Sequence, residues 1–444
     1  MIPAKNTLQP LELSPAFRQT LDILEKTDTS AFITGKAGTG KSTLLQLFRS
    51  TTKKRAVVLA PTGIAALNVR GQTIHSFFGF PPKVVQANDI ERRKNRKQYK
   101  ELDVLIIDEI SMVRADLFDA VDQFLRINRG NKAPFGGVQL LLFGDLFQLP
   151  PVVAGEAERH YFTTVYPSPY FFDAAVVRQG FPLEMIELTK VYRQDEVRFI
   201  RLLDAIRTQS YGEDDIEELN ARFHPAFPQK DGFVTLCSVN ALANSINQSR
   251  LRDLPTAAVT YSAKTTGDFS MRLFPTDQHL LLKEGAQVVL LRNDPERKFV
   301  NGTIGKIRHL EEDTLFLNIL NNSGDHEEIA IPRFEWELIR YDYDRVEQTI
   351  KANTIGTFQQ FPIKLAWAIT IHKSQGKTFD RAIIDLGYGA FEFGQTYVAL
   401  SRCRTLNGIV LKRKLRADDV LVDPRILEYY DVQRRYLPHP RQWA

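Results

Sequence analysis

Short apolar runs alternate with helical stretches along the first half of the chain. Residues 41–50 and 115–129 place apolar side chains at the three- and four-residue spacing of a helix. The apolar runs between them have the length of buried strands, and they occupy residues 31–34, 56–59, 104–107 and 139–143. This alternation is typical of a doubly wound α/β domain with a parallel sheet.

A second alternation of the same kind begins near residue 234. Strand-like runs at 234–237 and 382–386, with a helical stretch at 241–250, predict a second α/β domain. Between residues 286 and 360, apolar and polar side chains instead alternate as in half-buried strands, with a turn signal at Asn301-Gly302. The pattern therefore predicts two α/β domains, the second of which carries a small β insertion.

Composition adds limits to this picture. The 444 residues are 43% hydrophobic and 25% charged, which is ordinary for a globular protein. No apolar run approaches the length of a membrane span, and residues 1–11 lack the basic and apolar regions of a signal peptide. The two cysteines have no Cys or His neighbour at metal-ligand spacing. We therefore expect a cytoplasmic protein that is not secreted and has no membrane partner.

The charge balance is mildly basic. Lysine and arginine number 58 against 53 acidic residues, which gives a net charge of +5. Such a balance is compatible with a polyanionic partner without proving one. The densest basic run lies at residues 92–100, where a solvated surface is the alternative interpretation.

Residues 35–42 match the phosphate-binding P-loop pattern, after a predicted strand and before a predicted helix. Glycines allow backbone N–H groups to surround a phosphate, while Lys41 reaches the terminal phosphates and Ser42 can ligate Mg²⁺. An ordinary glycine-rich turn is the alternative, but it does not require these flanking elements. The predicted nucleotide-binding residues are Gly35, Gly38, Thr39, Gly40, Lys41, Ser42 and Thr43.

Asp108 and Glu109 end the apolar run 104–107. Nucleotide hydrolysis needs a carboxylate near the metal, and we predict that Asp108 holds Mg²⁺ through water. Glu109 is then placed to orient or deprotonate the attacking water. A pair of solvated, helix-capping acids is the alternative.

Three further side chains are candidates for phosphoryl transfer. Gln148 follows the strand-like run 139–143 and can bond a γ-phosphate or the attacking water. Arg193 and Arg402 are candidates to neutralise transition-state charge, a role that a second domain can supply. The residues alone leave a structural role open for each, because surface arginines and turns with Gly, Asp and Pro are common.

Taken in order, these motifs resemble those of superfamily-one helicases of the Pif (petite integration frequency) family. The resemblance spans nearly the whole chain. It rests on residues 35–42, 60–66, 71–78, 108–112, 134–139, 144–151, 300–302 and 371–378.

The resemblance implies two RecA-like domains with ATP at their interface. The first domain would comprise residues 1–190 with a small insertion at about 80–101, and the second would comprise residues 191–444 with a small β-barrel at about 294–360. By motif match, Gln148 becomes a γ-phosphate sensor, and Arg193 and Arg402 become arginine fingers. Gly376 is expected to approach the nucleotide.

The resemblance also implies contacts with single-stranded DNA. Hydroxyls and backbone amides can hold phosphates without reading sequence, and an aromatic face can stack a base. Without the motif context, core packing would be the simpler interpretation of His75 and Phe77. The predicted contacts are Pro61, Thr62, Gly63, His75, Phe77, His372, Lys373 and Ser374.

The implied activity is that of an ATP- and Mg²⁺-dependent DNA helicase that moves 5′ to 3′ on single-stranded DNA. Forked or structured DNA, including quadruplexes, would be its substrate in replication, repair or telomere maintenance. We expect a monomer that can dimerise on DNA, from a bacterium or a virus.

Two alternatives remain at this point. Residues 116–122 keep only the helical pattern of the family's diagnostic stretch, which leaves open a RecD-like translocase subunit without its own unwinding activity. A nucleotide-dependent switch GTPase would share the P-loop, although the Asn131-Lys132 pair lacks the aspartate that recognises guanine. The family's adenine-reading glutamine is also displaced here, with Gln19 five residues after Ser14.

Overall fold

The computed structural model describes residues 15–436 and 441–443, apart from positions 195, 229, 295, 297 and 321–325. The Leu13-Ser14 pair that precedes Gln19 lies outside the described residues. Within them, no helix is long and apolar enough to cross a membrane. Helices and strands are numbered below in chain order.

The first domain is built on a seven-stranded, fully parallel sheet of order β21-β6-β1-β5-β4-β2-β3. Its strands are β1 (Ala31–Gly35), β2 (Ala56–Ala60), β3 (Gln72–Thr73), β4 (Val104–Ile107), β5 (Gln139–Phe143), β6 (Glu184–Leu188) and β21 (Arg441–Trp443). Its helices are α1 (Pro15–Lys26), α2 (Lys41–Thr51), α3 (Gly63–Asn68), α4 (Ile74–Phe78), α5 (Lys97–Lys100), α6 (Ala115–Arg129), α7 (Gly155–Val165) and α8 (Ala175–Arg178).

The apolar runs of the sequence form the buried strands, as predicted. Every residue of β1, β4 and β5 is buried. Helix α6 packs Leu117, Val121 and Phe124 into the core and ends at Gly130, whose φ of 68° few other residues adopt readily. These elements place the carboxyl ends of β1, β4 and β5 side by side at one edge of the sheet.

The second domain is built on a four-stranded parallel sheet of order β18-β7-β19-β20. Its strands are β7 (Val234–Cys237), β18 (Ala368–Thr370), β19 (Ala382–Asp385) and β20 (Ile409–Leu411). Its helices are α9 (Val197–Arg207), α10 (Glu213–Asn220), α11 (Asn240–Asp253), α12 (Ile371–Ser374), α13 (Gln395–Leu400) and α14 (Pro424–Tyr436). The α/β class with two parallel sheets is therefore confirmed.

The β insertion of the second domain runs from β8 to β17, which is longer than the predicted 294–360. Sequence pattern misses its start because β8 and β9 are largely exposed and lack regular apolar alternation. Two of its sheets, β10-β8 and β14-β13-β12-β11-β17, enclose one apolar core, as a small barrel requires. The strands are β8 (Ala258–Ser262), β9 (Lys264–Gly267), β10 (His279–Lys283), β11 (Gln287–Leu290), β12 (Ile304–Leu310), β13 (Thr314–Leu320), β14 (His326–Pro332), β15 (Phe334–Asp344), β16 (Thr349–Gln360) and β17 (Ile363–Leu365).

The long hairpin β15-β16 leaves this core and packs against the first domain. The backbone N–H of Tyr341 donates to Oε1 of Gln72 at 3.2 Å, and the Tyr341 ring lies 6.2 Å from the ring of Phe77. Lys97, in the first-domain insertion at 80–101, lies over the ring of Tyr343 at 4.4 Å. The hairpin thus connects the β insertion of the second domain to the insertion of the first domain.

The end of the chain returns to the first domain. The Tyr430 hydroxyl on α14 is hydrogen bonded to the Thr34 hydroxyl at 2.7 Å, and its ring packs 5.0 Å from that of Phe147. Strand β21 then pairs in parallel with β6 at the edge of the first sheet. The predicted unit 191–444 therefore contributes a helix and a strand to its neighbour, a long-range pairing that local pattern does not encode.

Candidate nucleotide and nucleic-acid site

The P-loop connects β1 to α2 at the carboxyl edge of the first sheet. Gly38 and Gly40 have φ angles of 85° and 87°, a conformation that side chains disfavour. A Cβ on Gly40 would lie 2.9 Å from the ring of Phe17, so α1 closes against the loop. Gly35 ends β1 and Thr39 lies within this loop, while Ser42 and Thr43 in the first turn of α2 are exposed.

Lys41 is folded back onto the loop. Its Nζ donates to the carbonyl of Gly35 at 2.7 Å and to that of Lys36 at 3.0 Å. Burial lowers the pKa of Lys41 to about 8, against the opposing charges of Asp145 and Glu109. A phosphate group here would place a negative charge directly beside this half-buried ammonium group.

Asp108 and Glu109 follow β4 beside the P-loop. Burial and the adjacent charge of Glu109 together raise the pKa of Asp108 to about 7. Glu109 itself adopts a φ of 52°, and burial raises its pKa. Its Oε2 accepts a hydrogen bond of 3.0 Å from Nε2 of Gln375, in the second domain.

This donor set fits Mg²⁺. Two adjacent half-buried carboxylates favour a cation, and Ser42 adds a hydroxyl at the start of α2. Among the described residues, no cluster of three or more His, Cys, Asp or Glu side chains could hold a metal by itself. The ion would therefore need water and nucleotide phosphates as further ligands, which is the usual arrangement for Mg²⁺.

The two predicted arginine fingers converge on this cleft. Arg402 is almost fully buried, and its side chain donates to the Val398 carbonyl at 2.9 Å and to the Ser401 hydroxyl at 2.8 Å. Burial and the neighbouring Arg402 lower the pKa of Arg193 to about 9. No ion pair with a carboxylate joins either guanidinium in the part of the chain that the structure describes. A buried and a half-buried guanidinium without carboxylate partners are typical of an anion site.

Arg193 does not extend from the second sheet. It lies on the connection that follows β6, where the neighbouring Tyr192 donates its backbone N–H to the Gly38 carbonyl at 2.8 Å. A Cβ on Gly38 would collide with the Arg193 side chain. Arg193 therefore packs directly on the P-loop, while Arg402 approaches from the second domain.

Sequence reasoning missed the polar network behind Gln148. Gln148 donates to Oδ2 of Asp145 at 3.3 Å, and Asp145 forms a fully buried ion pair of 3.0 Å with Arg207 on α9. The Tyr397 hydroxyl on α13 lies 3.3 Å from the same carboxylate. The motifs contain Asp145 and Tyr397, but nothing in the local sequence marks Arg207.

The predicted DNA contacts of the first domain lie together around α3 and α4. The Thr62 hydroxyl caps α3 by accepting the Ala65 N–H at 3.2 Å. Gly63 lies against Leu273 of the β insertion. Pro61 and His75 are half-buried, and burial lowers the pKa of His75.

The structure corrects the prediction that Phe77 contacts single-stranded DNA. Its side chain is 4% exposed, and its ring lies 4.9 Å from that of Phe78 and 5.4 Å from that of Tyr99. A base cannot stack on a ring that is enclosed on these sides. In this arrangement Phe77 is a core residue.

In the second domain, the predicted contacts form the short helix α12. Lys373 is exposed, and Nε2 of His372 lies 2.7 Å from a carboxylate oxygen of Glu392. Ser374 is fully buried, and its hydroxyl donates to the Ile371 carbonyl at 2.6 Å. Ser374 therefore shapes the turn instead of offering a hydroxyl to DNA. Gly376 follows in an open position, with a φ of 77°.

Together these features define a two-domain P-loop protein whose nucleotide cleft lies between two parallel α/β sheets. A family model for PIF1-like helicases matches residues 13–213. The human ATP-dependent DNA helicase PIF1 is 36% identical over 425 residues, which cover 91% of this chain and 62% of that protein. The Campylobacter jejuni ATP-dependent DNA helicase Pif1 is 30% identical, and the match covers 90% of this chain and 94% of that protein. The chain belongs to the PIF1-like helicase family, and it spans about 62% of the length of the human relative.

Solved structures of Pif1 from Bacteroides agree with this assignment, at 34–35% identity. The complex with ADP-AlF4 has a TM-score of 0.88 and covers 96% of this chain and 98% of that one. The unliganded protein has a TM-score of 0.86, with 95% and 97% covered. The protein bound to single-stranded DNA has a TM-score of 0.66, also with 95% and 97% covered.

Proposed function

We propose that this protein is an ATP-driven motor that moves 5′ to 3′ along single-stranded DNA and unwinds duplex DNA. The observation that carries the proposal is the convergence of Lys41, Glu109 and Arg402 in one cleft between two domains. Both domains carry predicted DNA contacts. Closing or opening of the cleft therefore changes the distance between the two sets of contacts along the strand. The relatives named as ATP-dependent DNA helicases support this proposal.

Each side chain of the cleft has its own role in the proposed ATP hydrolysis. Lys41 leaves its loop carbonyls for the terminal phosphates of ATP, and Arg193 and Arg402 stabilise the charge that develops there. Glu109 orients the attacking water, and Gln148 bonds the γ-phosphate or that water. Mg²⁺, held by Ser42 and Asp108 when it is bound, would neutralise phosphate charge.

The described arrangement is proposed to be that of the DNA-free protein. The β insertion covers Gly63 through Leu273 and closes over Phe77 through Tyr341. The fold of this chain is more similar to that of unliganded Bacteroides Pif1 than to that of the same protein bound to single-stranded DNA, although the sequence identity is nearly the same. We infer that DNA binding moves the insertion away from the first domain.

Forked and structured DNA are the proposed substrates, including quadruplexes, in genome maintenance. One Bacteroides structure concerns DNA unwinding at forked double-stranded DNA by two coordinating Pif1 helicases, with a TM-score of 0.68, 34% identity, and 96% and 98% covered. We propose by analogy that this chain is a monomer in solution and that two copies meet at a fork.

Hydrolysis and strand-displacement assays test the proposal. ATP turnover should rise with oligothymidine, and a duplex with a 5′ tail should be unwound while one with a 3′ tail is not. Lys41→Ala should abolish both activities. Stimulated turnover without displacement on either duplex would favour the RecD-like translocase, and GTP turnover indifferent to DNA would favour the switch GTPase.

A further inference from the structure

One hydrogen bond joins the Glu109 carboxylate to the second domain. Nε2 of Gln375 donates to Oε2 of Glu109 at 3.0 Å. Glu109 follows β4 in the first sheet, whereas Gln375 follows α12, which extends from β18 in the second sheet. The bond therefore exists only while the two domains keep this relative position.

Gln375 is attached to the turn that carries the second-domain DNA contacts. Its backbone N–H donates to the His372 carbonyl at 3.2 Å. The next turn is fixed as well, because the Lys377 N–H donates to the Ser374 carbonyl at 2.9 Å. A DNA phosphate that displaces residues 372–374 must displace Gln375 with them.

The hydrogen bond also decides where the Glu109 carboxylate points. The backbone of Glu109 is held in a left-handed conformation, so its side chain leaves the chain in a fixed direction. The final orientation of the carboxylate then depends on its contacts. A general base must lie within hydrogen-bond reach of the proton that it takes. The Gln375 amide occupies one oxygen of the Glu109 carboxylate, so it competes with an attacking water for that oxygen.

We propose that Gln375 is a positioning residue that restrains Glu109 in the DNA-free protein and releases it when single-stranded DNA moves residues 372–374. The inference rests on the proposed function, because it requires ATP hydrolysis that responds to DNA. It assigns the stimulation by DNA to the loss of one inter-domain hydrogen bond.

The test compares ATP turnover with and without saturating oligothymidine. Gln375→Leu removes the amide donor and keeps a side chain of similar size. Its DNA-free kcat should rise about tenfold, the factor expected for loss of one hydrogen bond to a charged group. Its DNA-saturated kcat, its KM for ATP and its affinity for oligothymidine should stay near the wild-type values. The ratio of stimulated to basal turnover therefore falls about tenfold.

Two further variants distinguish loss of the restraint on Glu109 from a nonspecific effect of the substitution on the structure. Gln375→His retains a ring N–H donor and should keep the low DNA-free rate. Gln248→Leu makes the same substitution at an exposed position on α11 and should change neither rate. Thermal unfolding of all variants checks that they fold alike.

The outcomes are distinct. Equal losses of basal and stimulated kcat in Gln375→Leu would mean that the amide assists catalysis, which overturns the restraint. An unchanged basal rate would overturn it as well. A wild-type protein that hydrolyses ATP equally with and without oligothymidine would contradict the proposed function, and the proposed restraint with it, before any variant is compared.

Discussion

The hydroxyl of Tyr397 accepts a hydrogen bond from the backbone N–H of Ala37 at 2.9 Å. Ala37 lies in the P-loop of the first domain, whereas Tyr397 lies on α13 of the second. The same hydroxyl donates to Oδ2 of Asp145 at 3.3 Å. One oxygen atom therefore connects the phosphate-binding loop, the loop after β5 and the neighbouring domain.

Tyr397→Phe should destabilise the protein by about 1–3 kcal/mol, because it leaves a buried N–H and a buried carboxylate oxygen without this partner. Urea unfolding measures the change, and the KM for ATP should rise because Ala37 belongs to the P-loop. Tyr388→Phe is the matched control, since Tyr388 is fully exposed. Equal stability of the two variants would show that the Tyr397 hydroxyl is not a useful contact.

The buried ion pair between Asp145 and Arg207 should behave as a coupled unit. Asp145→Asn leaves the Arg207 charge buried without its partner and should cost about 3–5 kcal/mol. Replacing both residues, as Asp145→Asn with Arg207→Met, should cost clearly less than the sum of the single changes. A double-mutant cycle from urea unfolding provides the coupling energy, and additive effects would contradict the pairing.

The ion pair between Asp145 and Arg207 also predicts that the stability of the fold depends on pH. Burial raises the pKa of Asp145, but Arg207 and Lys41 outweigh this and hold it below its usual value. A carboxyl group with a lowered pKa stabilises the fold above its unfolded pKa, and that stability is lost as the pH falls through the folded value. The wild type should therefore lose more stability in acid than Asp145→Asn does. Parallel acid-unfolding curves would rule this out.

Arg402→Ala should lower the kcat for ATP hydrolysis roughly 10³-fold or more, while binding of a fluorescent nucleotide stays close to normal. Arg402→Lys should not restore turnover, because one ammonium group cannot reproduce the planar guanidinium fork. Arg404→Ala, at a half-exposed neighbour that pairs with Asp380 at 3.1 Å, serves as the control. Near-normal turnover in Arg402→Ala would remove this arginine from the site.

Phe77 and His372 should give opposite results when replaced by alanine. Phe77→Ala opens a cavity in the aromatic core and should destabilise the protein by about 3–5 kcal/mol. His372→Ala should weaken binding of oligothymidine and leave the unfolding midpoint nearly unchanged, because the ring is partly exposed. Fluorescence anisotropy and thermal unfolding separate the two effects. A Phe77→Ala protein of normal stability would contradict the core role and favour the DNA contact predicted for Phe77 from the sequence.

The sequence by itself determined the parts whose chemistry lies in consecutive residues. The P-loop, the Asp108-Glu109 pair and the buried strands are local because backbone conformation and burial of a short run depend on neighbouring side chains. The resemblance to Pif helicases also depended on such blocks.

Only the tertiary structure decided which distant residues meet. Arg207 pairs with Asp145 across 62 positions, and Gln375 reaches Glu109 across 266. Tertiary packing also placed Phe77 in the core, Arg193 on the P-loop and β21 beside β6. The physical reason is that such contacts follow from how the two domains and the β insertion pack together, and no local pattern of side chains records that packing.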